Sequence, residues 1–355
     1  AATSLVFDME SEYGWGGYSE SDREVKGLKQ IFSSKVAVFS LDEESSKRRG
    51  LTPDYIVRIG YREIEPEDIE ILRETLGLSE VAADAAYSLY RHFGKGTWLK
   101  EFMSATGRKS IFELADDIGV NGNALARLHN RLSRIERLDF VHEESVDDSV
   151  NHILNYLDRG IHVVLEFGRY GRDLAAYILV ANLLTRRIYR QYVERKQLAE
   201  ASGGKEPDPL VITIEEAHKF LTPAVAGQTI FGTIAREMRK YNVTLLIVDQ
   251  RPSGIDQEVL SQLGTKFTCL LDSEPDIDAV LGGVPGSRKL RSVLARLESK
   301  QQALIFGHAL PMPVVAQTRD YGTPESYRNL GFRDSVEEKT QVEQDLHDLF
   351  GPQRE

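Results

Sequence analysis

The sequence predicts an α/β fold built on a mostly parallel sheet and interrupted by a helical insertion. Four short apolar runs carry the first half of that expectation, because each ends abruptly in polar residues. Leu5 to Phe7 leads into Asp8, Met9 and Glu10; His162 to Phe167 carries Glu166 and then the Gly168–Gly171 turn. Val211 to Ile214 ends at Glu215 and Glu216, and Val243 to Val248 ends at Asp249, Gln250 and Arg251. Short apolar runs bounded by turn signals read as buried strands. In open parallel sheets the carboxyl edge is where ligands bind, so four strands aiming polar groups at one edge mark that edge as functional. The second half is a change of period: from Glu65 to Leu138 the apolar residues recur at three and four, the spacing of helices.

In chain order, residues 1–62 read as strand, loop, strand and strand, with Lys35 to Leu41 and Tyr55 to Tyr61 as the second and third runs. The helical insertion follows, marked by Ile69, Leu72 and Leu76 and again by Leu125, Leu128, Leu132, Ile135 and Leu138. Its last part, IFELADDIGVNGNALARLHNRLSRIERL, has the helix, Gly-containing turn and helix of a DNA-reading motif. A purely structural helical subdomain is the preferred reading, since Arg127, Arg131 and Arg134 are offset by acidic neighbours. The α/β pattern resumes at residue 149 with a helix near Val150 to Leu157, a strand at Ile161 to Phe167 and a long helix from about Leu174 to Glu200. Ala201 to Pro209 is a Gly-, Pro- and charge-rich loop. After the acidic-pair strand come the loop TPAVAGQ, a helix containing Arg236, and the strand that ends at Gln250. Strands near Thr265 to Asp272 and Gln302 to Gly307 are expected to complete the sheet, with Pro311 to Gln317 added at its edge. The tail from Ser335 to Phe350 spaces Val336, Leu346 and Phe350 for one helical face.

The adjacent carboxylates Glu215 and Glu216 suit nucleotide hydrolysis. One can hold Mg²⁺, directly or through its water shell, while the next orients and deprotonates the water that attacks the γ-phosphate. A helix whose acidic first turn complements its dipole would produce the same two residues.

Taken together, IEEAH (214–218), AREMRKYNV (235–243), VDQRPSGIDQEVLSQLGTKF (248–267) and QALIFGHALPMPVVAQ (302–317) resemble the HerA family of hexameric DNA-translocating ATPases, within the wider HerA and FtsK group. The similarity is strongest over residues 161–322 and returns at LVFDMESEYGW (5–15), which resembles the strand and turn after the family's phosphate-binding loop. The QRPS stretch is more specific than the acidic pair, which many ATPases share. The resemblance implies a RecA-like P-loop NTPase core: residues 1–62 as its first part, 63–148 as the helical insertion, 149–330 as the main core and 331–355 as a tail.

By the same resemblance, Glu215 is the Mg²⁺-site acid and Glu216 the catalytic base. Gln250 senses the γ-phosphate through its amide. Asp8 and Glu10 support water or metal beside the nucleotide, or are simply solvated acids at a strand end. Arg236 or Arg239, three apart on one helical face, acts as a finger on the neighbouring subunit's nucleotide or forms a salt bridge within its own. The implied ligands are ATP and Mg²⁺. The implied partners are copies of the chain in a homohexamer, double-stranded DNA, and a NurA-type nuclease or other effector in DNA-end processing or anti-phage defence. A ring that only scaffolds its effector, with hydrolysis absent, is the competing expectation.

One departure stands out. The phosphate-binding pattern G-x-x-x-x-G-K-[ST] occurs nowhere in the 355 residues. Gly94-Lys95-Gly96-Thr97 fails on spacing, and Gly203-Gly204-Lys205 fails too. The expectation is that the chain lacks a natural N-terminal part bearing that loop and a small β-barrel; a degenerate ATPase is the alternative.

Composition agrees with a globular cytoplasmic protein. With 41% hydrophobic residues the chain can bury a sizeable core, and no run approaches the ~18 apolar residues of a membrane span. The lone Cys269, in the run Phe267 to Leu271, is expected to be a buried structural thiol. A net charge of -11 leaves no overall basic footprint for nucleic acid. A ring can still line its channel with local charge, for which Arg186, Arg187 and Arg190, and Arg288, Lys289 and Arg291, are candidates; a solvated face or salt bridges would account for either cluster.

Overall fold

The computed structural model describes residues 2–19, 22–144, 148–219, 221–223, 226, 230–237 and 240–332. Arg239 and the tail residues Val336, Leu346 and Phe350 lie outside them, and of Arg236 only the backbone is described.

The chain enters directly in β1 (Thr3–Asp8) and turns through a short hairpin of β2 (Gly16–Tyr18) and β3 (Glu24–Lys26). It then returns to the sheet as β4 (Val36–Ser40) and β5 (Tyr55–Ile56). A two-residue strand, β6 (Ile59–Gly60), leads into the helical region and pairs with β7 (Val141–His142), which leaves it, so the excursion is closed at its base. Three more sheet strands follow: β8 (His162–Glu166), β9 (Leu210–Glu215) and β10 (Val243–Val248). The sheet order is β10-β9-β1-β8-β4-β5, and every neighbouring pair is parallel. Parallel strands require crossovers on the sheet faces, which explains why these strands read as continuous apolar runs.

Successive side chains point to opposite faces. Leu5 and Phe7 join the main core with Phe39, Leu165, Ile212 and Ile214, beneath the long helix Leu174–Ser202. Val6 points the other way and packs with Val36 and Val164 against Leu28 and Phe32. The long helix starts where Asp173 accepts hydrogen bonds from the Ala175 and Ala176 N–H groups, and it stops at Gly203 in the left-handed region. Among the described residues β10 is one edge strand of the sheet and β5 the other, and Leu246 and Val248 stand exposed on β10.

The insertion consists of helices Pro66–Ile71, Glu80–Phe93, Trp98–Ser104, Arg108–Ile118 and Gly122–Ile135. Leu125, Leu128, Leu132 and Ile135 are buried in one core with the sheet residues. Trp98, fully buried, donates from Nε1 to the Ile64 carbonyl at 2.9 Å.

Two expectations need correction. The strands β11 (Thr265–Thr268), β12 (Gln302–Gly307) and β13 (Val314–Gln317) do not complete the central sheet. They pair antiparallel as a separate three-stranded sheet, because Leu304 and Phe306 bury a core of their own with Ile277, Leu281, Leu290 and Leu294. Cys269 lies just past β11 and is exposed. Of the readings left open for Arg186, Arg187 and Arg190, salt bridges are what the structure shows. Arg186 is buried against Glu65 and Asp68, Arg187 bonds Glu63 at 2.6 Å and Asp148 at 3.0 Å, and Arg190 bonds Glu65 at 2.9 Å. These pairs strap the long helix to the start of the insertion and, through Asp148, to its end, and a buried guanidinium is stable only with such partners. In the second cluster Arg291 is paired with Glu274 and Asp278, while Arg288 and Lys289 are exposed on helix Ser287–Leu294.

Candidate nucleotide-hydrolysis site at the sheet edge

Parallel register brings the strand ends together. Asp8 on β1 lies opposite Glu166 on β8, and Glu215 on β9 lies opposite Val248 on β10, so Asp249 and Gln250 emerge beside Glu216. The four polar strand ends read from the sequence therefore occupy one edge, on four adjacent strands.

Asp8 is fully buried and its carboxylate builds a loop. One oxygen accepts the Glu12 N–H at 3.0 Å, and the other accepts the N–H groups of Tyr13 at 2.8 Å and Gly14 at 3.2 Å. Burial outweighs those bonds, and the Glu166 charge adds to it, so the Asp8 pKa is pushed up to about 6. Through these bonds Asp8 acts as the scaffold of the turn. Glu10, two residues on, is exposed.

The turn that Asp8 builds delivers Tyr13, whose hydroxyl donates to Glu215 Oε1 at 2.6 Å. A second tyrosine, Tyr177 on the long helix, donates to the Glu215 carbonyl at 3.1 Å. Glu215 is half-buried; burial raises its pKa, the Tyr13 bond opposes that, and Asp8, Glu12 and Glu216 raise it further. Glu166 is also raised by burial and is held by Arg49 at 2.5 Å, leaving its Oε1 without a partner among the described residues. A Cβ at Gly14 would come within 2.5 Å of that oxygen, so only glycine lets the turn pass so close.

Glu216 adopts φ 51°. A non-glycine residue in the left-handed region costs about 1–3 kcal/mol and is maintained only where its surroundings enforce it, often at functional sites. Here its N–H donates to the Val248 carbonyl at 3.0 Å and its carbonyl accepts the Lys219 N–H at 2.9 Å. The geometry turns the side chain, about a third exposed, away from the neighbouring Glu215 and toward β10, where Gln250 Nε2 lies 3.5 Å from Oε1. Behind it, His218 is held by Asp249. Sequence reasoning passed over Tyr13, Arg49, His218 and Asp249 as site residues. Only the last two carried a usable signal: a histidine two residues after the acidic pair, and an aspartate at the matching position of the next strand.

The donor set of the edge fits Mg²⁺. Among the described residues no group of three or more His, Cys, Asp or Glu is arranged to hold a metal on protein ligands alone. Mg²⁺ characteristically binds through one or two carboxylates together with substrate phosphates. Glu215, half-buried and close to Asp8, Glu12 and Glu216, is a carboxylate whose ionised form a divalent cation would relieve.

A mostly parallel sheet with crossover helices and acidic residues at its carboxyl edge defines a RecA-like α/β NTPase fold. The same fold is found in VirB4 of Thermoanaerobacter pseudethanolicus, with a TM-score of 0.56 and 11% identity over 92% of this chain and 83% of that one. It recurs in the bacterial conjugative coupling protein TrwB, with a TM-score of 0.55 and 9% identity over 90% and 79%. The family model for the central domain of helicase HerA matches residues 1–188, more than half of the chain, and the chain belongs to that family. It is similar to the DNA double-strand break repair helicases HerA of Sulfolobus acidocaldarius, 30% identical over 52% of this chain and 37% of the relative, and of Saccharolobus solfataricus, 24% identical over 88% and 57%. A third HerA, from Pyrococcus furiosus, is 34% identical over 32% of this chain and 21% of its own length. The chain thus spans from about a fifth to under three fifths of these relatives.

Proposed function

We propose that the chain is the motor part of an ATP-hydrolysing, double-stranded DNA translocase of the HerA type that works in the cytoplasm. The observation that carries this reading is the juxtaposition of Glu215, Glu216 and Gln250 on adjacent parallel strands, with Gln250 Nε2 3.5 Å from Glu216 Oε1. Glu215 would hold Mg²⁺, whose charge would stabilise the phosphates and polarise them for attack. Glu216 accepts a proton from the attacking water, and Gln250 aligns that water and reports the γ-phosphate by hydrogen bonding. Tyr13 keeps Glu215 oriented. An arginine of the segment 235–243, Arg236 or Arg239, reaches the nucleotide of the next subunit in a homohexamer, which makes turnover depend on assembly. A nuclease of the NurA kind, or another effector in DNA-end processing or anti-phage defence, sits on the ring.

A catalytically silent ring scaffold is the second reading; a G-x-x-x-x-G-K-[ST] loop in the full-length sequence would support the motor, and its absence there the scaffold. Separate measurement of ATP affinity and turnover in the full-length protein decides between them. Glu216→Gln keeps the size of the side chain but loses its proton-accepting charge, so nucleotide binding survives and turnover falls by about 10² to 10⁴. Glu215→Gln weakens Mg²⁺-nucleotide affinity as well as rate, because a metal-site acid acts in the ground state too. Equal, near-normal turnover in both variants would remove the motor reading.

A further inference from the structure

Asp249 and His218 join the ends of β9 and β10 behind Glu216. The Asp249 side chain is almost fully enclosed and the His218 ring largely so. Asp249 accepts the backbone N–H of His218 at 2.8 Å and also faces the ring Nδ1, at 3.0 Å from one oxygen and 3.2 Å from the other. It further accepts the Arg251 N–H at 2.6 Å. An ionised carboxylate only accepts, so Nδ1 carries the hydrogen. The other ring nitrogen, Nε2, lies 3.6 Å from Glu216 Oε2, beyond hydrogen-bonding distance.

Three hydrogen bonds therefore tie the turn after β9 to the end of β10: Glu216 N–H to the Val248 carbonyl, and the main chain and ring of His218 to Asp249. They bracket the one residue of that turn with positive φ, Glu216. They also fasten it to the residue that immediately precedes Gln250. Gly254, just beyond, packs closely on the histidine: a Cβ there would lie 3.1 Å from His218 Cβ, tight enough that one of the two would have to give by a few tenths of an ångström. The loop after Gln250 thus closes over the histidine and keeps it in place.

We propose that Asp249 and His218 form a positioning clamp that holds Glu216 in its left-handed turn and couples it to the strand end bearing Gln250. A displacement of Gln250 on meeting the γ-phosphate then moves Glu216 with it, so sensing and base placement are set by one rigid unit. This rests on the reading of Glu216 as the general base.

The clamp acts through Nδ1–H, which makes it separable from any role of Nε2. Asparagine places an amide N–H near the Nδ1 position, whereas glutamine places one near Nε2. In the full-length protein, His218→Ala should lower kcat by about 10- to 100-fold, the effect of a displacement of the order of 1 Å at a reacting group, with KM for ATP within about twofold. His218→Asn should restore most of the loss and His218→Gln should not. In the 355-residue chain, amide hydrogen exchange at residues 216–219 should accelerate in His218→Ala and more so in Asp249→Ala, which removes both acceptors. Unchanged kcat in His218→Ala, unchanged exchange, or rescue by glutamine alone would each overturn the clamp. Glu216→Gln separates the two levels. Wild-type turnover in that variant would overturn the base reading and the clamp's purpose together, whereas a silent Glu216→Gln beside a fully active His218→Ala would overturn the clamp only.

Discussion

Replacing Arg186 by methionine tests whether the arginines of the long helix are internal struts or nucleic-acid contacts. The Arg186 side chain is 6% exposed; it meets Asp68, at 0%, at 2.7 Å, and also Glu65, at 16%. Methionine fills most of the volume of the stem but leaves Asp68 with only the Glu65 N–H at 2.9 Å and the Asn182 amide at 3.1 Å. Removing one partner of a buried ion pair costs about 3–5 kcal/mol, a large share of a typical total stability of about 5–15 kcal/mol. Burial already raises the Asp68 pKa against the pull of Arg186, and losing the arginine raises it further. A carboxyl group raised in the fold retains a proton that the unfolded chain has released, so stability falls as pH rises. The cost of the substitution should therefore be greatest at neutral pH and shrink as pH falls toward the ordinary carboxylate range. Urea denaturation of both proteins across that range measures it. Arg186→Met combined with Asp68→Asn should recover part of the loss, giving a non-additive cycle. A loss below about 1 kcal/mol at neutral pH, far under the expected 3–5, would refute the strut. So would an unchanged midpoint accompanied by a reduced salt slope of DNA binding, the signature of a lost phosphate contact.

Asp8 should titrate at about 6 in the folded chain, observable as a carboxyl carbon shift, and its contribution to stability should decline as pH rises from about 4 to about 6; an ordinary titration near 4 would contradict its burial. Tyr13→Phe removes the donor that opposes proton uptake by Glu215, so in the full-length protein Mg²⁺-nucleotide binding should fail at a higher pH than in the wild type, and superimposable pH profiles would count against the contact. The 355-residue chain by itself should neither bind ATP tightly nor hydrolyse it, because backbone N–H groups and a lysine of a phosphate loop supply most of the phosphate contact; calorimetry and phosphate release check this, and robust turnover would refute it.

Much of the fold was legible because its signals are local. A buried parallel strand announces itself as an apolar run, and its carboxyl end as the first polar residue after it, which is how Asp8, Glu166, Glu215 and Gln250 could be placed at one edge. The helix Leu174–Ser202 and the insertion were equally plain from their period. What escaped was set by pairing across the chain. Arg186 finds Asp68 across 118 residues and Tyr13 finds Glu215 across 202, and neither approach leaves a mark on the local pattern. The same reason accounts for β11 to β13: an apolar strand reads alike whichever sheet it joins. The left-handed turn at Glu216 was hidden for a different reason, since it opposes the residue's own backbone preference and is imposed by β10.

The electrostatics of the edge favour the motor reading over the scaffold. Asp8, Glu166 and Glu215 all have pKa values raised by burial, and Asp8 and Glu215 are raised further by nearby acids. Among the described residues, the ion-pair partner found for these three is Arg49, on Glu166. Raised carboxylates lower stability at neutral pH, and a ring that merely held an effector would gain nothing from keeping them there. The arrangement makes physical sense where positive charge arrives with the substrate, as a Mg²⁺-nucleotide together with an arginine from the next subunit. In a partly enclosed site such charges act at an effective dielectric well below that of water. The same acids would then favour binding of the metal-bound nucleotide over the free one. Fold stability and the proposed metal binding would then be in opposition at Glu215, and among the described residues the Tyr13 hydroxyl moderates the conflict by stabilising the charged form without neutralising it.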